Sequence, residues 1–181
     1  MQTVQLYTIE DLEAMHDPDH KYELDEGRLV QVNPPQWFHG YVTVNVSVIL
    51  TNFVKPLNLG YVLAESGVVL QRGPDTLRGP DVWYMRRDRL GPAGNKTKYL
   101  EGGPDLVVEI LSPSNEPSAV LRKVSQYLAA GSLLVWVVDP PRARVTVYHP
   151  DGRVEVLTAD DELRAETVLP GFSTPVRDFF E

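Results

Sequence analysis

Apolar residues fall along this chain in short runs divided by proline and glycine, and each run has its own periodicity. Thr8 followed by Ile9-Glu10-Asp11-Leu12 predicts a short helix to Met15, with Thr8 as N-cap and acids in its first turn. Tyr22-Glu23-Leu24 and Arg28-Leu29-Val30-Gln31-Val32 predict a hairpin about Asp25-Glu26-Gly27, which Pro34-Pro35 terminates. From Trp37 to Val54 two periods compete. Val42, Val44, Val46 and Val48 alternate as in a strand, whereas Phe38, Tyr41, Val42, Asn45, Ile49, Leu50 and Phe53 mark a helical stripe. Length decides for the helix, because strands rarely run so far without a turn.

Beyond Gly60, Tyr61-Val62-Leu63-Ala64-Glu65 and Val68-Val69-Leu70 predict strands, followed by a strand through Gly79-Pro80-Asp81-Val82-Trp83-Tyr84. A loop rich in Gly, Lys and Asn spans Leu90 to Gly103. Pro104-Asp105-Leu106-Val107-Val108-Glu109-Ile110-Leu111 is a further strand, and a helix from about Pro117 to Ala130 stops at Gly131. A buried strand from Leu133 to Asp139 precedes a hairpin that pairs Arg144–Tyr148 with Val154–Leu157.

The length of 181 residues suits one domain over 1–181 with a sizeable core. No apolar run approaches the roughly 20 residues of a membrane span, and Met1 to Gln5 lacks a basic segment leading into an apolar one, so no membrane and a cytoplasmic location are expected. The absence of cysteine excludes disulfides and thiolate zinc sites. A net charge of −8 repels nucleic acid unless positive charge gathers on one face. Arg86, Arg87 and Arg89, with Lys96 and Lys98 shortly after, are the local basic cluster; it reads either as a solvated loop or as a cradle for a phosphate backbone.

The chemistry concentrates in two acids. Asp81 and Glu109 each stand in an apolar extended run, where an ionised carboxylate is costly unless a cation or hydrogen-bond donors compensate it. Together they suggest a pair that holds a divalent metal through oxygen. Each residue also has a bland reading. Asp81 after Pro80 is common turn chemistry, Lys123 suits the wet side of an amphipathic helix, His39 suits a satisfied helix histidine, and Glu23 suits an exposed hairpin. Glu109, flanked by Leu106-Val107-Val108 and Ile110-Leu111, has no such easy explanation.

The succession of these motifs resembles the bacterial restriction-endonuclease-like proteins long grouped as a domain of unknown function within the PD-(D/E)XK nuclease superfamily. Its carriers are Tyr22 to Gly27, His39 at the head of the long helix, Gly79-Pro80-Asp81-Val82 and Pro104 to Ser114. They continue through Lys123-Val124-Ser125-Gln126-Tyr127, Trp136 to Pro140 and Leu169-Pro170-Gly171-Phe172. The resemblance implies an α/β fold with a restriction-endonuclease-like core, a mixed curved sheet flanked by helices. It makes Asp81 and Glu109 the motif acids and implies Mg²⁺ or Mn²⁺ held by both, with the Ile110 backbone carbonyl and waters. Leu111 stands where the motif lysine belongs, and Lys123 on the next helix is the substitute that would orient the attacking water. Glu23, His39 and Gln126 are candidate accessory groups.

The implied activity is metal-dependent phosphodiester hydrolysis of nucleic acid, with DNA the expected substrate and a dimer or higher homo-oligomer the expected assembly. Trp37, Phe38, Tyr41, Phe179 and Phe180 are candidate interface aromatics. Two other classes stay open: a nuclease-fold binding or regulatory module without turnover, and a metal-dependent hydrolase of a small phosphorylated substrate.

Overall fold

The computed structural model describes residues 5–17, 19–90 and 99–181. The first half carries α1 (Ile9–Ala14), β1 (Lys21–Asp25), β2 (Arg28–Val32), α2 (Trp37–Val54), β3 (Gly60–Ala64), β4 (Val68–Gln71), β5 (Thr76–Arg78) and β6 (Val82–Arg86). The second carries β7 (Leu100–Glu101), β8 (Leu106–Ile110), α3 (Pro117–Ala129), β9 (Leu134–Asp139), β10 (Arg144–Tyr148), β11 (Val154–Thr158), β12 (Glu162–Arg164) and β13 (Ser173–Pro175). A six-stranded sheet runs in the order β11-β10-β9-β8-β6-β3, a five-stranded sheet in the order β2-β1-β5-β4-β7, and β12 pairs with β13. Both larger sheets are mixed, with β8–β9 and β4–β7 parallel and the other pairs antiparallel. No helix among the described residues is long and apolar enough to cross a membrane.

The central strands are apolar on both faces because both faces are covered, as parallel strands require. Leu106, Val108 and Ile110 of β8 pack with Val42, Val46 and Leu50 of α2 and with Phe172 and Phe179 near the C-terminus. Val107 points the other way, toward Val124 and Tyr127 of α3 and Val135 and Val137 of β9. Strand parity then sends Glu109 to the α3 face as well. Each fully buried large side chain of these layers contributes roughly 1.5–3 kcal/mol. An aspartate at Val108, which is fully buried, would break the α2 side.

Local geometry follows the sequence closely. Thr8 and Asp11 form a reciprocal capping box on α1. Glu26 (φ 50°) and Gly27 (φ 78°) both take the left-handed conformation of a tight hairpin turn. Gly131 (φ 101°) ends α3 as expected. The ambiguous Trp37–Val54 segment is one helix.

Two expectations change. The five-stranded sheet has its own small core of Ile9, Leu24, Val69 and Leu77, and its strands β5 and β7 were not anticipated. Phe179 is fully buried and so unavailable to an interface; Phe38 and Phe180 are half-buried against the main core, and Trp37 and Tyr41 are exposed. Most of the Leu90–Gly103 loop, Lys96 and Lys98 included, lies outside the described residues.

The two sheets meet at a corner. β5 belongs to the five-stranded sheet and β6 to the six-stranded one, and the chain passes from one strand to the other through Gly79-Pro80-Asp81 alone.

Candidate active site

Glu109 and Asp81 come together through β-sheet register. β6 and β8 pair antiparallel from Tyr84 with Leu106 to Val82 with Val108, and one step further along stand Asp81 and Glu109. Asp81 precedes β6 rather than lying within it, and its Oδ2 accepts the backbone N–H of Ile110 at 2.6 Å. Oδ2 also lies 3.3 Å from Nε2 of His39, which the first turn of α2 presents from the opposite face of the sheet. The Asp81 side chain keeps 18% of its surface exposed.

Glu109 is held from the α3 face. The Tyr127 hydroxyl donates to its Oε1 at 2.5 Å, and Nζ of Lys123 stands 3.6 Å from its Oε2. That amine is also hydrogen-bonded at 3.1 Å to Oε1 of Glu23 on β1, so Lys123 bridges a carboxylate from each large sheet. Lys123 and Tyr127 lie one helical turn apart, which is why both reach the same acid.

Glu23 is not a solvated hairpin residue: it is only 5% exposed, because β5 pairs with β1 and α3 covers the strand. Its Oε2 accepts from Arg78 at 2.9 Å, and its Oε1 accepts from the Gly79 N–H at 3.0 Å as well as from Lys123. Arg78 is itself buried. It donates from Nε and Nη2 to Oε1 of Gln126 at 2.9 and 2.7 Å, and Nη2 lies 3.0 Å from Oδ1 of Asp25. The Gln126 amide donates in turn to Asp25 at 2.7 Å, and Arg122 caps the same carboxylate at 2.8 Å. Gln126 therefore meets the guanidinium of Arg78 rather than Glu109.

The electrostatics separate the two glutamates. Burial pushes the Glu109 carboxyl up to about 7; Asp81 and Glu23 push the same way, and Lys123 and the Tyr127 hydroxyl resist. Burial also raises Glu23, but Lys123 and Arg78 outweigh it and leave its pKa below the usual value. Burial lowers Lys123, yet the charges of Glu109 and Glu23 more than compensate and keep the amine charged. Burial lowers His39 too. Its hydrogen bond to Asp81, that carboxylate's charge and a hydrogen bond to the Ile110 backbone reverse the sign, so its pKa is raised.

The structure thus brings Asp81, Glu109, Lys123, Glu23 and His39 into one contiguous set, with Gln126 behind it. Tyr127, Arg78 and Asp25 complete the set and were not singled out from the sequence as site residues. Tyr127 shared a helix face with Lys123, a usable signal; Arg78 offered none beyond lying three residues before Asp81. The three arginines of the basic cluster lie elsewhere. Arg86 and Arg89 are spent on the buried carboxylate of Asp105, at 3.2 and 3.1 Å, at the far end of β6 from Asp81. Arg87 lies over the ring of Tyr61.

Two carboxylates and a backbone carbonyl make a hard oxygen donor set, which fits Mg²⁺ or Mn²⁺ better than a soft ion. No group of three or more His, Asp or Glu side chains among the described residues is close enough to form a complete metal cage. An ion held by two protein acids with several waters needs no such cage.

Comparison with known proteins bears on the family and the fold. The family model Uma2, described as "Putative restriction endonuclease", matches residues 9–177. A crystal structure described as a putative nuclease belonging to DUF820, from Anabaena variabilis, superposes with a TM-score of 0.85. The two share 22% identity, and the match covers 96% of this chain and 97% of that one, a likeness of fold. No curated protein matches.

Proposed function

The chain belongs to the Uma2 restriction-endonuclease-like family, and from that premise we propose that it is a metal-dependent nuclease hydrolysing phosphodiester bonds, with DNA as substrate. The observation that carries this reading is the placement of the Lys123 amine, 3.6 Å from Glu109 and 3.1 Å from Glu23. Leu111 occupies the lysine position of the resembled motif, and the amine from α3 supplies the missing positive charge to the same carboxylate. That answers one of the two features that favour a module without turnover, the missing motif lysine; the other is the net charge of −8.

Asp81 and Glu109 would hold Mg²⁺ or Mn²⁺ together with the Ile110 carbonyl. The ion, when bound, supplies Lewis-acid polarisation of a phosphate oxygen and acidification of a water. The remaining work falls to this chain's own groups. Lys123, kept charged by Glu109 and Glu23, orients the attacking water or stabilises charge developing on the phosphate. Glu23 has its oxygens committed to Arg78, Gly79 and Lys123, so its part is to position the amine. Tyr127 fixes the rotamer of Glu109, and His39 fixes Asp81 from the other face.

The test is cleavage of supercoiled, linear and single-stranded DNA and of RNA with Mg²⁺ or Mn²⁺, with chelator and Glu109→Ala as controls. Metal-dependent cleavage of DNA that Glu109→Ala abolishes supports the proposal. Binding of Mn²⁺ without cleavage of any nucleic acid would return the site to the small phosphorylated substrate class. Cleavage that survives Glu109→Ala would remove this site from the reaction.

A further inference from the structure

The long helix α2 carries a second pattern that the core does not use. No Asp, Glu, Lys or Arg stands between Arg28 and Lys55, although such residues make up 23% of the chain. Within this uncharged stretch α2 buries Val42, Val46, Leu50 and Val54 against the six-stranded sheet. On its other side Trp37, Tyr41, Val44 and Val48 are 81, 41, 58 and 49% exposed. Their spacing, extended to Thr51, alternates four and three residues, the seam by which two helices pack against one another. A seam that faces solvent lacks its other helix.

We infer that this face of α2 is an isologous docking surface for α2 of a second copy of the chain, with the helices antiparallel and a two-fold axis at Val44. Two properties single out a second copy among possible occupants. The first is self-complementarity. Turning α2 about Val44 sets Trp37 opposite Thr51, Tyr41 opposite Ser47, and Val48 opposite Gly40, so each large side chain meets a small one. Gly40 is open at that point: a Cβ built on it meets nothing within 4 Å. The second is charge. Two molecules of net charge −8 repel wherever their acids face each other, and α2 itself contributes none; the acid beside it is Glu181, whose backbone carbonyl accepts from Asn45 at the flank of the seam.

The four seam side chains alone do not fill a standard interface, so the flanks of α2 must contribute the rest. Covering the four exposed side chains removes on the order of 400 Å² per copy, about half of the ~800 Å² per partner in a standard interface. Gln36, Asn52 and Lys55, all exposed, flank the seam and provide a polar rim. The aromatic pair Trp37 and Tyr41 supplies the residue types that anchor interfaces. His39 lies on the opposite side of the same helix, so pairing leaves its contact with Asp81 untouched. The two copies of His39 would stand about 15 Å apart along the helix direction, at 1.5 Å per residue from the axis.

Sedimentation of the full chain without substrate tests the inference independently of any nuclease activity. The wild-type chain is expected to be a dimer at micromolar concentration. Val44→Glu, which sets two like charges face to face on the axis, is expected to yield a monomer with an unchanged circular dichroism spectrum. Because the chain has no cysteine, Val44→Cys under mild oxidation should form a disulfide-linked dimer. Val156→Cys, equally exposed at 58% on the edge strand β11, should not. A wild-type monomer up to sub-millimolar concentration overturns the inference and leaves the face to a foreign partner. A dimer that resists Val44→Glu, or equal cross-linking of the two cysteine variants, overturns it in favour of another self-contact.

Discussion

The two ends of the β6–β8 pair carry the same dipeptide and do opposite things with it. Pro80-Asp81 leads into β6 and Pro104-Asp105 into β8, and because the strands are antiparallel the two aspartates lie at opposite ends. Each makes the same backbone bond to the neighbouring strand: Oδ2 of Asp81 accepts from Ile110 at 2.6 Å, and Oδ2 of Asp105 accepts from Arg86 at 2.8 Å. The company differs. Asp105 is wholly buried and neutralised by two arginines, whereas Asp81 stays partly open, meets only a histidine and stands across from another acid. Asp105 closes its end of the pair as a structural joint. Asp81 keeps unspent negative charge in a place where an ion could use it. Dipeptide and backbone role are shared, so neighbouring charge and access make the difference.

Exchanging the chemistry of the two aspartates is the sharpest way to break that comparison. Asp81→Asn keeps an acceptor for the Ile110 N–H and relieves repulsion with Glu109, so stability should change by less than about 1 kcal/mol. Cleavage of DNA should nevertheless fall to background. If the variant cleaves at the parent rate, the two aspartates are not different in kind. Asp105→Ala should do the reverse. It orphans the Arg86 N–H and two guanidinium groups that are only partly exposed, for a loss of about 3 kcal/mol by chemical denaturation. Residual activity per folded molecule should be unchanged.

Lys123→Ala comes next. Turnover should drop by about 10²–10³-fold, the effect of removing one electrostatic stabiliser, while calorimetric Mn²⁺ binding persists. A parent-like rate would make Lys123 a structural partner of Glu23 and nothing more. The effect of pH is smaller and its sign is distinctive. Burial raises the Glu109 pKa in the folded chain to about 7, above the ordinary 4.5 of a glutamate, so its protonated form favours folding and that contribution is lost as pH rises from roughly 4.5 through 7. His39, also raised, adds stability below its unfolded value that is lost as pH climbs through its folded one. Glu23 is lowered and works the other way, its contribution present above its unfolded pKa and lost as pH falls through the folded value. Metal-free thermal melts should therefore decline toward alkaline pH, and Glu109→Gln should flatten the decline, leaving the His39 part. An unaltered profile in that variant would show that Glu109 titrates normally.

The legible parts of this chain were those with length or repetition. The 18-residue α2, the apolar β8 and β9 strands and the glycine stop of α3 all announce themselves in periodicity and punctuation. Glu109 was legible for a related reason, since an acid inside such a run is anomalous. The five-stranded sheet was not, because β5 is three residues long and follows Gly73-Pro74, too short for any period to show. Burial of Glu23 was equally hidden: what covers it is α3, about a hundred residues later in the chain. Local pattern carries no record of such a contact. The same holds for Arg78, whose three acceptors lie on β1 and α3.

The bridge from Glu23 to Lys123 also dictates when the centre can exist. Its partners are separated by 100 positions, and α3 docks only where β9 lies beside β8. Contacts of such sequence separation form slowly, since loop closure must come before they reward it. During synthesis the hairpin of β1 and β2 emerges early, and Glu23 can meet Arg78 and Gly79 but not Lys123 until the β8–α3–β9 unit has left the ribosome. The amine that completes the centre is among the last groups to arrive, so a nascent or truncated chain ending before Lys123 holds both acids but no lysine to activate them.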